Sequence, residues 1–330
     1  MLNEVKKRAE EAIAAKVFPG CVIGVVHSDG TREVMPFGNF TYKSDSPEVR
    51  EDTVYDMASV TKSIPTASLA LNFLQKGKFE LSDPVNKYIP ELQNDYEATI
   101  EDLLTYRVKG TRLSTLHDKT PDEVLKIVFE NGFDGPPGKA EYTNLPALLL
   151  GLVVERVGDD TLENLARTYF FDTLGMKDTT FFPRDTSHVP PTEVVLGKEV
   201  CGVVHDESAR VFARAGRSVG HAGLFSTAPD ILNFLEALLQ NKLPAVLLGA
   251  QEGLCWQKAE PWFMGSRFGK GAFGKTGFTG TSVSIDPSRG IAFVILSNRT
   301  YPQRPPDAAS IYSAVNIFRA DIADIIFELE

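Results

Sequence analysis

T-S-V-S-I-D-P-S-R-G-I-A-F-V-I-L-S, residues 281–297, holds two β-rich runs separated by Pro287-Ser288-Arg289-Gly290, a spacing that predicts a hairpin. The other end of the chain has the same character. C-V-I-G-V-V-H (21–27) reads as a buried strand, and Asp29-Gly30 as a hairpin turn into a second one. An amphipathic helix is expected from about Val5 to Lys16, stopped by Pro19-Gly20. A closing helix from about Ala308 to Glu328 would place Ile311, Val315, Phe318, Ile322, Ile325 and Ile326 on one face. Helical patterns and loops predominate between these ends. Strands at both termini predict one sheet completed by the two chain ends and interrupted by a mostly helical insertion. The expected class is α+β, an antiparallel sheet flanked by helices: residues 1–58 and 231–330 form the sheet part and 59–230 the helical part. A site is expected in the cleft between them.

Composition narrows the function. The 330 residues are 43% hydrophobic and 24% charged, ordinary for a globular chain with a real core. A net charge of −10 argues against nucleic acid or an anionic membrane as partner, because either needs a basic face. Cys21, Cys201 and Cys255 are few, odd in number and far apart, so neither a disulfide framework nor a metal-ligand spacing is implied. M-L-N-E-V-K-K-R-A-E-E (1–11) is too charged for the apolar core of a signal peptide. No apolar run reaches the roughly 20 residues that span a bilayer. A cytoplasmic location is the resulting expectation.

Three motifs compete to explain the chemistry. Ser59-Val60-Thr61-Lys62 falls at the start of an expected helix running to Gly77, with Ile64, Ala67, Leu71 and Leu74 as its apolar stripe. A serine at a helix N-terminus gains from the dipole, which favours negative charge on its oxygen. A lysine one turn later can reach that oxygen and, if buried, gives up its own proton readily enough to take the hydroxyl's. A Ser N-cap followed by a solvated lysine has the same letters, and Pro65 sits awkwardly inside the helix. Gly216-Arg217-Ser218-Val219-Gly220 matches the nucleophile elbow G-x-S-x-G. Of the five histidines only His221 follows Ser218, which leaves no room for the order Ser, acid, His. Gly269 to Thr276 (G-K-G-A-F-G-K-T) matches the P-loop pattern, but G-F-T-G-T-S-V-S-I-D after it reads as strand, and a phosphate cradle needs a helix there.

Read instead as Lys275-Thr276-Gly277 on an edge strand, those residues complete a set with S-x-x-K and a middle element, Tyr142-Thr143-Asn144. Tyr142 and Asn144, two apart, would face one cleft if the segment is extended. Tyr142 can equally be a packed aromatic, and Asn144, before L-P-A-L-L-L, a helix N-cap.

With these motifs in order, the chain resembles the serine β-lactamase-like and penicillin-binding-protein-like family, in the branch of class C β-lactamases, D-alanyl-D-alanine peptidases and related carboxylesterases. M-A-S-V-T-K-S (57–63), G-K-F-E-L-S-D-P-V-N-K-Y-I-P-E-L (77–92), P-P-G-K-A-E-Y-T-N (136–144), G-H-A-G-L-F-S-T-A-P-D (220–230) and F-G-K-T-G-F-T-G-T-S (273–282) carry the resemblance across most of the chain. It implies Ser59 as nucleophile, Lys62 as its activating partner, and Tyr142 as general base with a pKa lowered by Lys62 and Lys275. Asn144 would hold a substrate amide, and Lys275 would orient the tyrosine and any substrate carboxylate. Thr276 and Gly277 would line the substrate, and the backbone N–H groups of Ser59 and Phe278 would form the oxyanion hole. No metal and no cofactor is implied, and the substrate would be a small-molecule ester, amide or lactam. Carboxylesterase-like hydrolysis is favoured, with a β-lactamase or D-amino-acid peptidase as alternative. A nucleotide-binding protein and a catalytically inactive binding or assembly scaffold remain open from other classes. Relatives commonly carry L-L-T-H-T-S-G where this chain has L-L-T-Y-R-V-K-G (103–110), so the rim near Tyr106 and Arg107 departs from the pattern. His205-Asp206 is expected as a turn-stabilising pair.

Overall fold

The computed structural model describes residues 2–328. After helix α1 (Leu2–Ala14) come strands β1 (Gly20–His27), β2 (Arg32–Gly38) and the two-residue β3 (Tyr55–Asp56). A helical stretch follows: α2 (Ser68–Gln75), α3 (Ile100–Leu104), α4 (Pro121–Asn131), α5 (Leu145–Gly158) and α6 (Leu162–Ala166). A small hairpin, β4 (Glu193–Val195) and β5 (Lys198–Val200), precedes α7 (Glu207–Ala213), β6 (Phe225–Ser226), α8 (Ala228–Leu239) and α9 (Pro244–Glu252). The chain closes with β7 (Gln257–Lys258), α10 (Pro261–Met264), β8 (Phe273–Thr276), β9 (Ser282–Asp286), β10 (Ile291–Ser297) and α11 (Ala314–Glu328).

The main sheet is six-stranded and antiparallel, ordered β2-β1-β10-β9-β8-β7. Its centre joins the chain ends, with Cys21 opposite Ser297 and His27 opposite Ile291. Alternation along β1 explains why the sheet is covered on both faces. Cys21, Ile23 and Val25 pack with Phe293 and Ile295 under α1 and α11, against Val5, Phe318 and Ile322. Val22 and Val26 face the other way with Val294 and Leu296, against Ile231, Leu232 and Leu235 of α8. Beyond α8 the core continues into the helical part, where Leu145 to Val154 of α5 is buried on every side. The hairpin turn is tied by Asp286, whose carboxylate accepts from Ser288 N–H and the Ser288 hydroxyl, while Gly290 supplies a positive φ of 66°.

Two expected helices differ. The segment after Ser59 is not one helix to Gly77. A 3₁₀ turn over Ala58–Lys62 gives way to a wide turn over Ser63–Ala67, where Ile64 is extended (φ −119°, ψ 108°), before α2 begins. Pro65 is the cause: it lacks the N–H a helix needs and drives the residue before it out of the helical region. Backbone groups freed there find side chains, Ser68 donating to the Ser63 carbonyl at 2.7 Å. The closing helix starts at Ala314, not Ala308: the chain before it runs in successive turns, Ser310 N–H to the Asp307 carbonyl and Ser313 N–H to the Ser310 carbonyl, and the Asp307 carboxylate accepts Ala314 N–H at 2.9 Å. Ile311, expected on the helix face, is therefore half-exposed in the preceding loop.

Candidate active site

Ser59 sits at a point the surrounding chain over-determines. Ala58 before it is left-handed (φ 46°), a conformation that costs a residue with a Cβ on the order of 1–2 kcal/mol. The Asp56 carboxylate holds it there, accepting Ala58 N–H at 2.8 Å, and its other oxygen accepts His205 N–H at 2.7 Å. Burial raises the Asp56 pKa to about 6 against those two hydrogen bonds. From the other side β8 presses in. A Cβ on Gly277 would come within 2.5 Å of the Met57 carbonyl, so only glycine lets the strand approach the Ser59 turn so closely.

The Lys62 ammonium is fully buried and lies 3.0 Å from Ser59 Oγ. It also donates to the His221 carbonyl at 2.6 Å. Burial lowers its pKa to about 8, with Asp206 pulling the other way. Tyr142 stands over both lysines, its ring centroid 5.3 Å from Lys62 Nζ and 4.9 Å from Lys275 Nζ. Tyr142 is 54% exposed as a residue, and Lys275 and Ser59 are the groups that act on its phenol in favour of the charged form. Burial raises the phenol above its ordinary range, and Lys275 and Ser59 pull it only part of the way back. That corrects the expected lowering: desolvation of the phenolate outweighs the neighbouring cation. Lys275 donates to the Tyr106 hydroxyl at 3.1 Å and the Cys255 carbonyl at 3.2 Å.

Ser59, Tyr142, Thr276, Gly277 and Phe278 line one cavity of about 550 Å³, walled further by Trp262, Ile311, Arg299 and Arg319. Its size suits a small ligand. A groove of about 620 Å³ lined by Glu163, Arg167, Arg184 and Asp185 contains none of the residues the sequence singled out. β8 is not quite the sheet edge. The two-residue β7 pairs with Phe273 and Gly274, and the Gln257 side chain accepts Thr276 N–H at 3.1 Å.

Asn144 does not cap α5 through its side chain; its amide donates to Asp206 at 3.0 Å and to Ser208 at 3.4 Å. Asp206 N-caps α7 through Ala209 N–H at 3.0 Å, and a carboxylate is the stronger acceptor for the amide. His205 does not pair with it: the ring stacks on Phe278 at 5.7 Å. Ser208 instead bridges Asp206 and the buried His221 Nε2, at 2.6 and 2.9 Å, behind Lys62. Tyr106, Cys255, Ser208, His221, Arg299 and Arg319 were not assigned to the site from sequence. Only Tyr106 carried a signal, as the departure within 103–110.

The competing motifs dissolve. Ser218 is buried, accepts Glu163 N–H at 3.2 Å, and has no strand before it. After Thr276 the chain turns into β9, so no helix follows the P-loop match. Among the described residues, no group of three or more His, Cys, Asp or Glu could hold a metal ion, and no single helix is long and apolar enough to cross a membrane.

An antiparallel sheet closed by both chain ends, carrying S-x-x-K, Tyr and K-T-G around one cavity, has the β-lactamase/transpeptidase-like fold. The Beta-lactamase family model matches residues 5–316, and the chain belongs to that family of hydrolases. A protein of Salmonella typhi that carries the provisional name D-alanyl-D-alanine carboxypeptidase is 28% identical over 306 residues, covering 76% of this chain and 70% of its own. Among solved structures, the D-amino acid amidase of Ochrobactrum anthropi superposes with a TM-score of 0.75 at 20% identity, over 99% of each chain. EstCE1, described as a hydrolase with promiscuous acyltransferase activity, gives 0.75 at 18% identity over 97% of this chain and 98% of its own.

Proposed function

We propose that the protein hydrolyses small esters or amides through an acyl-enzyme on Ser59, in the cleft between the sheet and the helical part. The observation that carries this reading is the buried Lys62 amine 3.0 Å from Ser59 Oγ, with a pKa of about 8. A neutral Lys62 keeps one N–H on the His221 carbonyl and turns its lone pair to the hydroxyl. As Ser59 Oγ bonds to the acyl carbon, its proton passes to Lys62. The oxyanion is held by the N–H groups of Ser59 and Phe278. Collapse breaks the bond to the leaving group, which takes its proton through Tyr142, protonated in the resting site and resupplied by Lys62. Water then attacks the ester and gives its proton through Tyr142 to Lys62, and as the bond to Ser59 breaks Lys62 returns that proton to Ser59 Oγ. Lys275, 4.9 Å from the centre of the Tyr142 ring, offers positive charge to the phenol and to the substrate.

Trp262, Phe278, Ile311 and Ala308-Ala309 give the cavity an apolar wall, which supports an acyl or alkyl group and favours carboxylesterase-like turnover. Two guanidinium groups in the same lining, Arg299 and Arg319, favour a second reading, a D-amino-acid peptidase or β-lactamase whose substrate carries a carboxylate. Steady-state rates on p-nitrophenyl butyrate, nitrocefin and a D-alanyl-D-alanine peptide separate the two. The ester should be turned over fastest, and Ser59→Ala should abolish that turnover. Undiminished hydrolysis by Ser59→Ala would sink the reading.

A further inference from the structure

Arg319, from α11, and Arg299, just after β10, are both buried, and neither forms an ion pair with a carboxylate among the described residues. Burying a guanidinium without a paired carboxylate is costly, and only the more distant Asp307 offsets it for Arg299, so their hydrogen bonds need an explanation. Arg319 donates to the Gly277 carbonyl at 2.9 Å, to the Thr281 carbonyl at 2.6 Å and to Asn316 at 2.6 Å. Arg299 donates to the Phe278 carbonyl at 2.7 Å and to the Ala308 carbonyl at 3.1 Å. The two cations thus grip consecutive carbonyls, those of Gly277 and Phe278. Gly280 N–H takes the second lone pair of the Gly277 carbonyl at 3.2 Å. Between the two gripped oxygens lies the Phe278 N–H, which has no hydrogen-bond partner in the chain among the described residues.

We infer that Arg319 and Arg299 are positioning residues that set and strengthen the Phe278 oxyanion donor, an inference that rests on the acyl-enzyme reading above. A trans peptide is planar, with its C=O and N–H antiparallel. Anchoring the Gly277 oxygen therefore fixes the direction of the Phe278 N–H. A cationic donor on that oxygen also polarises the peptide, so the N–H at its other end becomes a better donor to developing negative charge. Arg299 prevents the next peptide from rotating and carrying Phe278 with it. A catalytic dipole fixed before the reaction needs no reorganisation during it.

Arg319→Lys and Arg299→Lys keep the charge but lose the planar fork. Wild type and both variants are acylated with p-nitrophenyl trimethylacetate carrying a ¹³C carbonyl, the adduct is mapped, and its carbonyl stretch is read by isotope-edited infrared. Each variant should move that stretch to higher wavenumber, because a weaker donor polarises the ester less. On neutral p-nitrophenyl acetate each should lower kcat about tenfold or more, below the 10²–10³ for losing a donor outright, with KM changed less than about twofold. Variants that acylate the neutral ester at the wild-type rate, and only raise KM for p-nitrophenyl hemisuccinate, would overturn the inference in favour of carboxylate binding. Should Arg319→Lys fail to fold, Arg299→Lys decides alone. A wild-type adduct away from Ser59 overturns the proposed function itself. An adduct on Ser59 whose carbonyl frequency ignores the arginines overturns only the clamp.

Discussion

Replacing Lys62 by methionine should destroy activity and remove a pH-dependent weakness of the fold. The wild-type amine is fully buried, and its pKa falls from 10.5 to about 8 because burial disfavours the ammonium. The unfolded chain therefore binds the proton more tightly than the native one. Below pH 8 both states carry the proton and the native state bears the full penalty, about 3 kcal/mol at 1.4 kcal/mol per pH unit between the two pKa values. That penalty shrinks as pH rises from about 8 and is gone above 10.5. Methionine has no such dependence, but it leaves the His221 carbonyl, which Lys62 satisfies at 2.6 Å, without that donor. An unpaired buried carbonyl costs about 1–3 kcal/mol, close enough to the gain that the sign of the difference at pH 7 does not decide the matter. Its change with pH does. Urea unfolding of both proteins should show wild type gaining on Lys62→Met by about 1 kcal/mol between pH 7 and pH 9. The same amine, active when neutral, predicts that wild-type kcat/KM rises through about pH 8. A stability difference that stays flat from pH 7 to 9 would refute the buried-ammonium reasoning, whatever the activity does.

Tyr106→Phe removes an acceptor from the buried Lys275 ammonium, held at 3.1 Å, and should lower kcat/KM several-fold and stability by about 1–3 kcal/mol. Steady-state kinetics and thermal melts read both, and an unchanged kcat/KM would show that Lys275 needs no support from the rim. Ser218→Ala should leave turnover on p-nitrophenyl esters within about twofold, because the hydroxyl only accepts Glu163 N–H. Thr120→Ala breaks the capping box that Thr120 and Glu123 form at the start of α4, and should cost about 1 kcal/mol by urea titration with activity intact.

Local chemistry explains which parts of this molecule could be read from its sequence. The hairpin at 281–297 and the strand at 21–27 announced themselves because alternation and turn residues act over a few positions. That one sheet joins them followed from their places at the chain ends, and Cys21 does lie opposite Ser297. The apolar stripe after Ser59 spells one helix to Gly77, but a single proline breaks the segment at Ile64. The late start of α11 goes with Asp307, whose side chain takes the Ala314 N–H seven residues on. The partners of the site were the least legible. Lys62 rests on a carbonyl 159 residues away, and Arg299 and Arg319 grip the carbonyls of Phe278 and Gly277. Every residue offers a carbonyl, so such partners leave no mark in the letters. Asn144 had a recognisable motif, but its side chain follows Asp206, whose place beside it only the tertiary fold sets.

The proposed reaction depends first on Ser59 carrying the acyl group. Intact-mass spectrometry after incubation with a fluorophosphonate, on wild type and Ser59→Ala, tests it most directly. A single adduct is expected on wild type, mapped by peptide digestion to Ser59, and none on the variant. A wild-type protein that stays unmodified, or a label that lands on Ser218 or persists in Ser59→Ala, would contradict it.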